Sequence, residues 1–229
     1  MKILAIDTTS SAASVALIDS DKLIGEYTSN AKLTHLQKLM PMIEQLLMHC
    51  EESFENIEAI AVSEGPGSFT GIRIGVATAK TLSQVGDISI IGVPTLMAMA
   101  YNIPFYSGII CPILDARRNQ VYSAAYKWEG DICKEVIKAD AYSIDEITEA
   151  LKAYEDVIFL GDGVNAYKNN ILSILPNAKF ALPYLKTQKA SSVAQLGLKM
   201  ASEKKLQNCY EMKPEYLRKP EAERNLENK

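Results

Sequence analysis

KILAIDTTSSAASVALIDSDKLIGEYTS, residues 2–29, decides the fold. It holds three short aliphatic, β-branched runs, 2–8, 13–19 and 23–28, divided by Asp7-Thr8-Thr9-Ser10-Ser11 and by Asp19-Ser20-Asp21. Short β-prone runs separated by turn formers predict consecutive antiparallel strands, so the chain opens on a three-stranded meander. Downstream, Leu36, Leu39, Met40, Ile43, Leu46 and Leu47 recur at helical spacing from Thr34, the expected N-cap, to His49. Pro41 is expected to bend or restart that helix. IEAIAVS (57–63) is apolar enough for a buried strand; it runs through Glu64–Gly71 into a helical stretch ending near Gln84. ISIIGVP (88–94) then predicts a strand and TLMAMAY (95–101) a short helix.

A second round begins near Ile109. ICPILDA, NQVYSAAYKW and ICKEVIKADAYS give three strands, the first two divided by Arg117-Arg118. SIDEITEALKAY follows as a helix with Ser143 and Glu146 in capping-box spacing, then the strand VIFLGDG, the helix VNAYKNNILSIL and a last amphipathic helix, SSVAQLGLKMASEKK. The order βββαβα thus occurs twice. The expected fold is α/β, with two βββαβα subdomains facing each other across a cleft, the usual place for a ligand. Residues 1–104 form the first subdomain and 105–189 the second. A helix at 190–206 is expected to pack back on the first, and 207–229 form a tail.

The 229 residues carry 24 Lys and Arg against 28 Asp and Glu, a net charge of −4, so the surface as a whole does not attract a phosphate backbone. A nucleic acid, if one is involved, should be held by another subunit. Four cysteines without C-x-x-C spacing predict reduced packing thiols. The apolar run after Met1 is too brief for a signal-peptide core or a membrane span, and a cytoplasmic protein is expected.

Several motifs carry two readings. Asp7-Thr8-Thr9 is a turn, or a site where an aspartate with neighbouring hydroxyls holds a metal-bound water or caps backbone N–H groups. Gly65-Pro66-Gly67-Ser68-Phe69-Thr70-Gly71 joins a strand to a helix; it is a tight turn, or a loop whose first-turn N–H groups hold an anion. It is neither a Walker loop nor a dinucleotide fingerprint. Gly71, Gly75 and Ala79 at four-residue spacing make a flat stripe, either internal packing or a surface for a partner helix. Met40, Met42 and Met48 lie outside the tidy core stripe of the preceding helix, which favours a partner surface built with Met40, Ile43 and Leu47. His35 and His49 are too far apart for a helical metal pair, and no Ser-His-Asp or Cys-His arrangement is arguable. Arg117 and Arg118 are a solvated pair or a phosphate grip.

I-D-T-T (6–9), S-E-G-P-G-S-F-T-G-I-R-I-G (63–75, including Arg73), G-V-P-T-L (92–96), L-D-A-R-R-N-Q-V-Y (114–122) and P-E-Y-L-R-K-P (214–220) resemble the bacterial TsaB (YeaZ) family over essentially the whole chain. The resemblance implies the duplicated ASKHA fold of actin, Hsp70 and sugar kinases. It also implies a non-catalytic subunit acting with TsaD and TsaE to make N6-threonylcarbamoyladenosine in tRNA, with a homodimer where TsaD is absent. The catalytic paralogue TsaD has an H-x-x-x-H metal pair on the first helix; here the stretch is His35-Leu36-Gln37-Lys38-Leu39, and Leu39 has no lone pair to offer. Asp7-Thr8-Thr9 and Asp115-Ala116-Arg117 stand where the kinases have an aspartate followed by glycines, a degenerate phosphate loop. Leu160-Gly161-Asp162-Gly163 is placed like an adenosine-binding turn. No catalytic residue, metal or resident cofactor is therefore expected; any nucleotide would sit at an interface shared with TsaD and TsaE. Two alternatives are an ASKHA-type ATPase or small-molecule kinase acting alone, and a metalloprotease of the "glycoprotease" kind.

Overall fold

The computed structural model describes residues 1–31 and 35–218. The first half runs β1 (Lys2–Asp7), β2 (Ala13–Asp19), β3 (Lys22–Ser29), α1 (His35–His49), β4 (Ala59–Gly65), α2 (Phe69–Gly86), β5 (Ser89–Pro94) and α3 (Thr95–Ala100). The second repeats that order with β6 (Ile109–Asp115), β7 (Gln120–Glu129), β8 (Ile132–Ser143), α4 (Ile144–Ala150), β9 (Val157–Leu160), α5 (Gly163–Ile174), β10 (Lys179–Phe180) and α6 (Pro183–Lys186), after which comes α7 (Ala190–Ser202). Each half contains a five-stranded sheet, in the order β3-β2-β1-β4-β5 and β8-β7-β6-β9-β10. In both, the meander is antiparallel and the two crossover strands are parallel to the central strand. The chain therefore has the duplicated α/β architecture of the ASKHA class, and its duplication is more complete than the sequence patterning shows. Sequence reading missed β10 and α6 because two and four residues are too few to establish a period.

Strand side chains alternate between faces, and both faces of the first sheet are covered. Leu4, Ile6, Val15, Leu17, Ile60 and Val62 pack against α1 and α2. Their neighbours Ile3, Ala5, Ala16, Ile18, Ala59 and Ala61 pack against α7. This two-sided burial explains why β1, β2 and β4 are almost continuously apolar. The alanines, with Gly197, let α7 come close: a Cβ on Gly197 would stand 2.9 Å from that of Ala61. The second sheet buries one face against α4 and α5 and the other against α3, whose Leu96, Met99 and Ala100 meet Ile110, Leu114 and Tyr126.

The halves thus exchange a helix: α3 of the first covers the second sheet, and α7, following the second half, covers the first. Polar contacts fix the exchange. Asn102 Nδ2 donates to the carbonyls of Leu185 (2.9 Å) and Thr187 (2.8 Å), while its Oδ1 accepts from Ser192 Oγ (2.7 Å). At the start of α7, Ala190 N donates to Ser14 Oγ, and Ser191 donates through both N and Oγ to Glu26 Oε1.

Of the bend or restart expected at Pro41, there is no restart: α1 continues through it, because Pro41 lies on the exposed side, where a missing N–H leaves no buried acceptor unmet. The reading of the α1 methionines needs correction. Met42 faces the core beside Leu39, Ile43 and Leu46, and only Met40 and Met48 of the three methionines are exposed. Thr34, the expected N-cap, lies outside the described residues. The capping box at Ser143 and Glu146 forms as the spacing predicts. All four cysteines are free thiols. Among the described residues, no helix is long and apolar enough to cross a membrane.

Candidate functional site

β1 ends on Asp7, and its carboxylate organises the turn that follows. Oδ1 accepts from Thr9 N (2.9 Å) and Thr9 Oγ1 (2.8 Å), and Oδ2 accepts from Ser63 Oγ (2.6 Å) on the neighbouring strand β4. Asp7 is 1 % exposed, and burial pushes its carboxyl above the ordinary value against the pull of those donors. The 65–71 loop is tied to the same turn: Ser68 N donates to the carbonyl of Thr9 (2.7 Å), and Thr8 Oγ1 donates to that of Gly71 (2.7 Å). Ser68 caps α2, its Oγ accepting from Gly71 N at 3.3 Å. The turn after β1 and the glycine loop after β4 are therefore one rigid wall.

That approach sets the glycine pattern. A Cβ on Gly75 would stand 2.5 Å from Thr8 Oγ1, and one on Gly71 would run into the carbonyl of Thr8. Gly71, Gly75 and Ala79 are buried against β1 and β4 rather than presented outward, and Ile43 is likewise core. The expected interface stripe is thus corrected: these small residues admit the Thr8 turn. Flanking them on α2 are Ile74 and Leu82, partly buried and packed on the edge of the same core, while Val85 near the helix end is exposed. Beside them, α1 exposes Leu36 (76 %), Met40 (40 %) and Met48 (64 %), with Leu47 half-buried. Leu36, Met40 and Met48 on α1 and Val85 on α2 are thus large apolar side chains left exposed on two helices that pack against the same core.

Between the halves lies a cleft of about 870 Å³. Thr9, Ser10, Ser11 and Pro66–Thr70 form one wall, with His35 beside them; Asp115, Ala116, Arg117, Tyr122 and Asp162 form the other. Asp7, Thr8, Gly65 and Gly71 sit behind the first wall rather than on it. The far wall repeats the logic of the near one: Asp115 Oδ1 accepts from Arg117 N (2.9 Å), and Asp162 Oδ1 accepts from Asp115 N (3.0 Å). Burial, followed by the nearby Asp115 charge, raises the Asp162 carboxyl above the ordinary value. Arg117, Arg118 and Asn119 all have positive φ, a left-handed turn unusual for three consecutive residues with side chains. Gly65 (φ 128°), the last residue of β4, and Gly161 (φ 104°), just after β9, take a conformation that disfavours side-chain-bearing residues.

The third side of the cleft was missed in sequence. Residues 215–218 of the tail cross its mouth. Arg73 lies over the Phe69 ring, 4.1 Å from its centroid, and donates through Nε to Tyr216 Oη (3.1 Å); Tyr216 in turn packs on Phe69 at 5.0 Å. The available signal was P-E-Y-L-R, recognisable as a motif but without periodicity to place it in space.

The donors do not fit a metal of the paralogue's type. His35 Nε2 lies 2.7 Å from the carbonyl of Ser10, and Leu39, four residues on, is 1 % exposed in the core. Among the described residues, no group of three or more His, Cys, Asp or Glu side chains is arranged to hold a metal ion.

Comparison with known proteins gives the same class. YeaZ from Pseudomonas aeruginosa superposes with a TM-score of 0.80 over 94 % of this chain and 99 % of that one, at 22 % identity, which establishes the shared ASKHA-type fold. The sequence profile of the family described as "TsaD: tRNA N6-adenosine threonylcarbamoyltransferase" matches residues 23–226. The tRNA threonylcarbamoyladenosine biosynthesis protein TsaB of Bacillus subtilis (strain 168) is 36 % identical over 97 % of this chain and 96 % of its own length. TsaB of Escherichia coli (strain K12) is 36 % identical over 61 % of this chain and 64 % of that protein. The chain belongs to the TsaB family, within the broader grouping that includes TsaD.

Proposed function

We propose that the protein serves tRNA threonylcarbamoyladenosine biosynthesis as a non-catalytic subunit, docking on TsaD through the outer face of α1 and α2 and acting with TsaD and TsaE. Identity of 36 % along nearly the entire length of a TsaB protein carries this reading. Two features of the molecule support the mode of action. The ion-binding position of the paralogue is closed by Leu39, and the aspartate at the end of β1 is committed to holding Thr9 and Ser63. Meanwhile Leu36, Met40, Met48 and Val85 remain exposed on two neighbouring helices. Methionine and leucine on helix surfaces suit a helix-against-helix interface, which at standard size buries about 800 Å² per partner. The same face serves self-association when TsaD is absent.

The expected interface residues therefore shift by one helical step: Met40 and Leu47 stay, Leu36, Met48, Ile74, Leu82 and Val85 join them, and Ile43, Gly71, Gly75 and Ala79 support the face from beneath. Calorimetric titration of the chain into TsaD tests the proposal. We expect stoichiometric binding that a Met40→Asp, Met48→Asp double variant weakens by a hundredfold or so, since charge buried in an apolar contact costs about 3 kcal/mol or more. Undiminished binding by a folded double variant would place the docking surface elsewhere.

A further inference from the structure

The tail does more than end the chain. Gln207 exchanges backbone hydrogen bonds with Ile90 on the edge strand β5, both at 2.8 Å. Met212 is buried in the first-half core, and Lys80 Nζ of α2 donates to its carbonyl (3.1 Å). Glu215 N then donates to the carbonyl of Glu64 (2.7 Å), and Tyr216 reaches the Arg73–Phe69 pair. Finally Arg218 Nη1 crosses to the carbonyl of Ala116 in the other half, at 3.5 Å. We propose that residues 207–218 are a strap, anchored on β5 and α2, whose last four residues close the cleft mouth and are released when Glu64 carries charge.

The Glu64 side chain makes the strap conditional. Its carboxyl lies against the bare Cα of Gly92, with the Met212 sulfur alongside, directly under the tail. Burial, and then the Glu215 carboxylate, push it up to about 7. The groups on the elements packed around it give little compensation. β5 has no charged residue, and β4 has none besides Glu64. α2 offers Arg73 and Lys80, but each is already engaged with the tail, through Tyr216 Oη and the Met212 carbonyl. The tail itself brings Lys213, exposed, and Glu215. From the second half, Tyr126 faces Glu215, and burial holds its phenol well above the ordinary value, so it stays neutral.

Release of residues 215–218 removes the Glu215 carboxylate and uncovers Glu64 on the tail side, with Met212 still in place, so the carboxyl shifts down from about 7 toward its ordinary 4.5. The closed form thus binds the proton more tightly. Closure is at full strength below about pH 4.5, weakens as pH rises from there to about 7, and is weakest above that. A cleft guarded in this way admits a ligand more readily on the alkaline side of neutrality.

Hydrogen exchange at the Glu215 amide, corrected for the intrinsic rate, reads the strap directly. In the intact chain we expect protection of 215–218 to fall by about tenfold or more between roughly pH 5 and pH 8, with residues 68–70 under Tyr216 following, while β1 and β4 stay unchanged. Glu64→Gln keeps the shape and removes the charge, so protection should be high at both pH values. Equal protection in the unmodified protein at both pH values overturns the proposal, as does an undiminished fall in Glu64→Gln. Should Glu64→Gln not fold, Glu215→Gln decides the matter: the fall must shrink, and an unchanged fall overturns the proposal.

Discussion

Gly75 shows how one side chain's absence is used. Its Cα faces Thr8, and any Cβ there would meet Thr8 Oγ1, with Val62 and Ile6 next nearest at 3.6 and 3.8 Å. Gly75→Leu is therefore expected to destabilise the fold by about 3 kcal/mol or more through overpacking, rather than to act on a partner. Urea denaturation checks this, and an unchanged midpoint would show that α2 can move off the turn. Asp7 makes the complementary case. Asp7→Ala strips the acceptor from Thr9 N, Thr9 Oγ1 and Ser63 Oγ at once. Leaving buried donors unmet should cost about 2–4 kcal/mol. Asp7→Ala should thus lower the urea midpoint with the m-value preserved, a stability defect rather than the loss of a ligand contact. At neither residue does the sequence motif itself separate a structural from a ligand-binding role. Distances to Thr8 and Ser63 do.

At the scale of the element, α2 explains what was legible and what was not. The S-F-T-G start, the helical run to Gly86 and the preceding buried strand all follow from residue type, because caps, glycines and apolar periodicity act locally. Which face of α2 turns inward does not. Small residues satisfy either a packed turn or an opposing helix, and only the position of Thr8, in a turn 63 residues before Gly71, decides between them. The same applies to α1: Met40, Met42 and Met48 look alike in sequence, yet one is core and two are exposed. The cleft's two main walls, Arg117 included, come from recognisable motifs; the placing of the strap across the mouth, and of Glu64 beneath it, depends on contacts between distant segments that no local pattern encodes. A prediction belongs to this scale. Val85→Asp alters a residue 78 % exposed at the end of α2 and should leave the melting temperature within a few degrees while weakening association with TsaD. Differential scanning fluorimetry beside the binding titration separates the two effects.

In the molecule as a whole, the duplication leaves each sheet incomplete without a helix from the other half's stretch of chain. α3 and α7 make the halves interdependent, and Asn102 is the polar centre of that exchange, with all three of its side-chain hydrogen bonds reaching α6, α7 or the link between them. Asn102→Ala should cost about 2–4 kcal/mol and, because it lies at the seam, lower the cooperativity of unfolding as well as its midpoint. On the proposed function, this interlocked body presents the exposed side chains of α1 and α2 to a catalytic partner. The most direct measurement is threonylcarbamoyl transfer to tRNA by TsaD and TsaE with the chain omitted, added, or added as the Met40→Asp, Met48→Asp double variant, beside the chain on its own. Transfer that needs the chain, is absent with the chain alone and is lost with the folded double variant is the predicted result; transfer by the chain alone, or full transfer without it, would contradict the account.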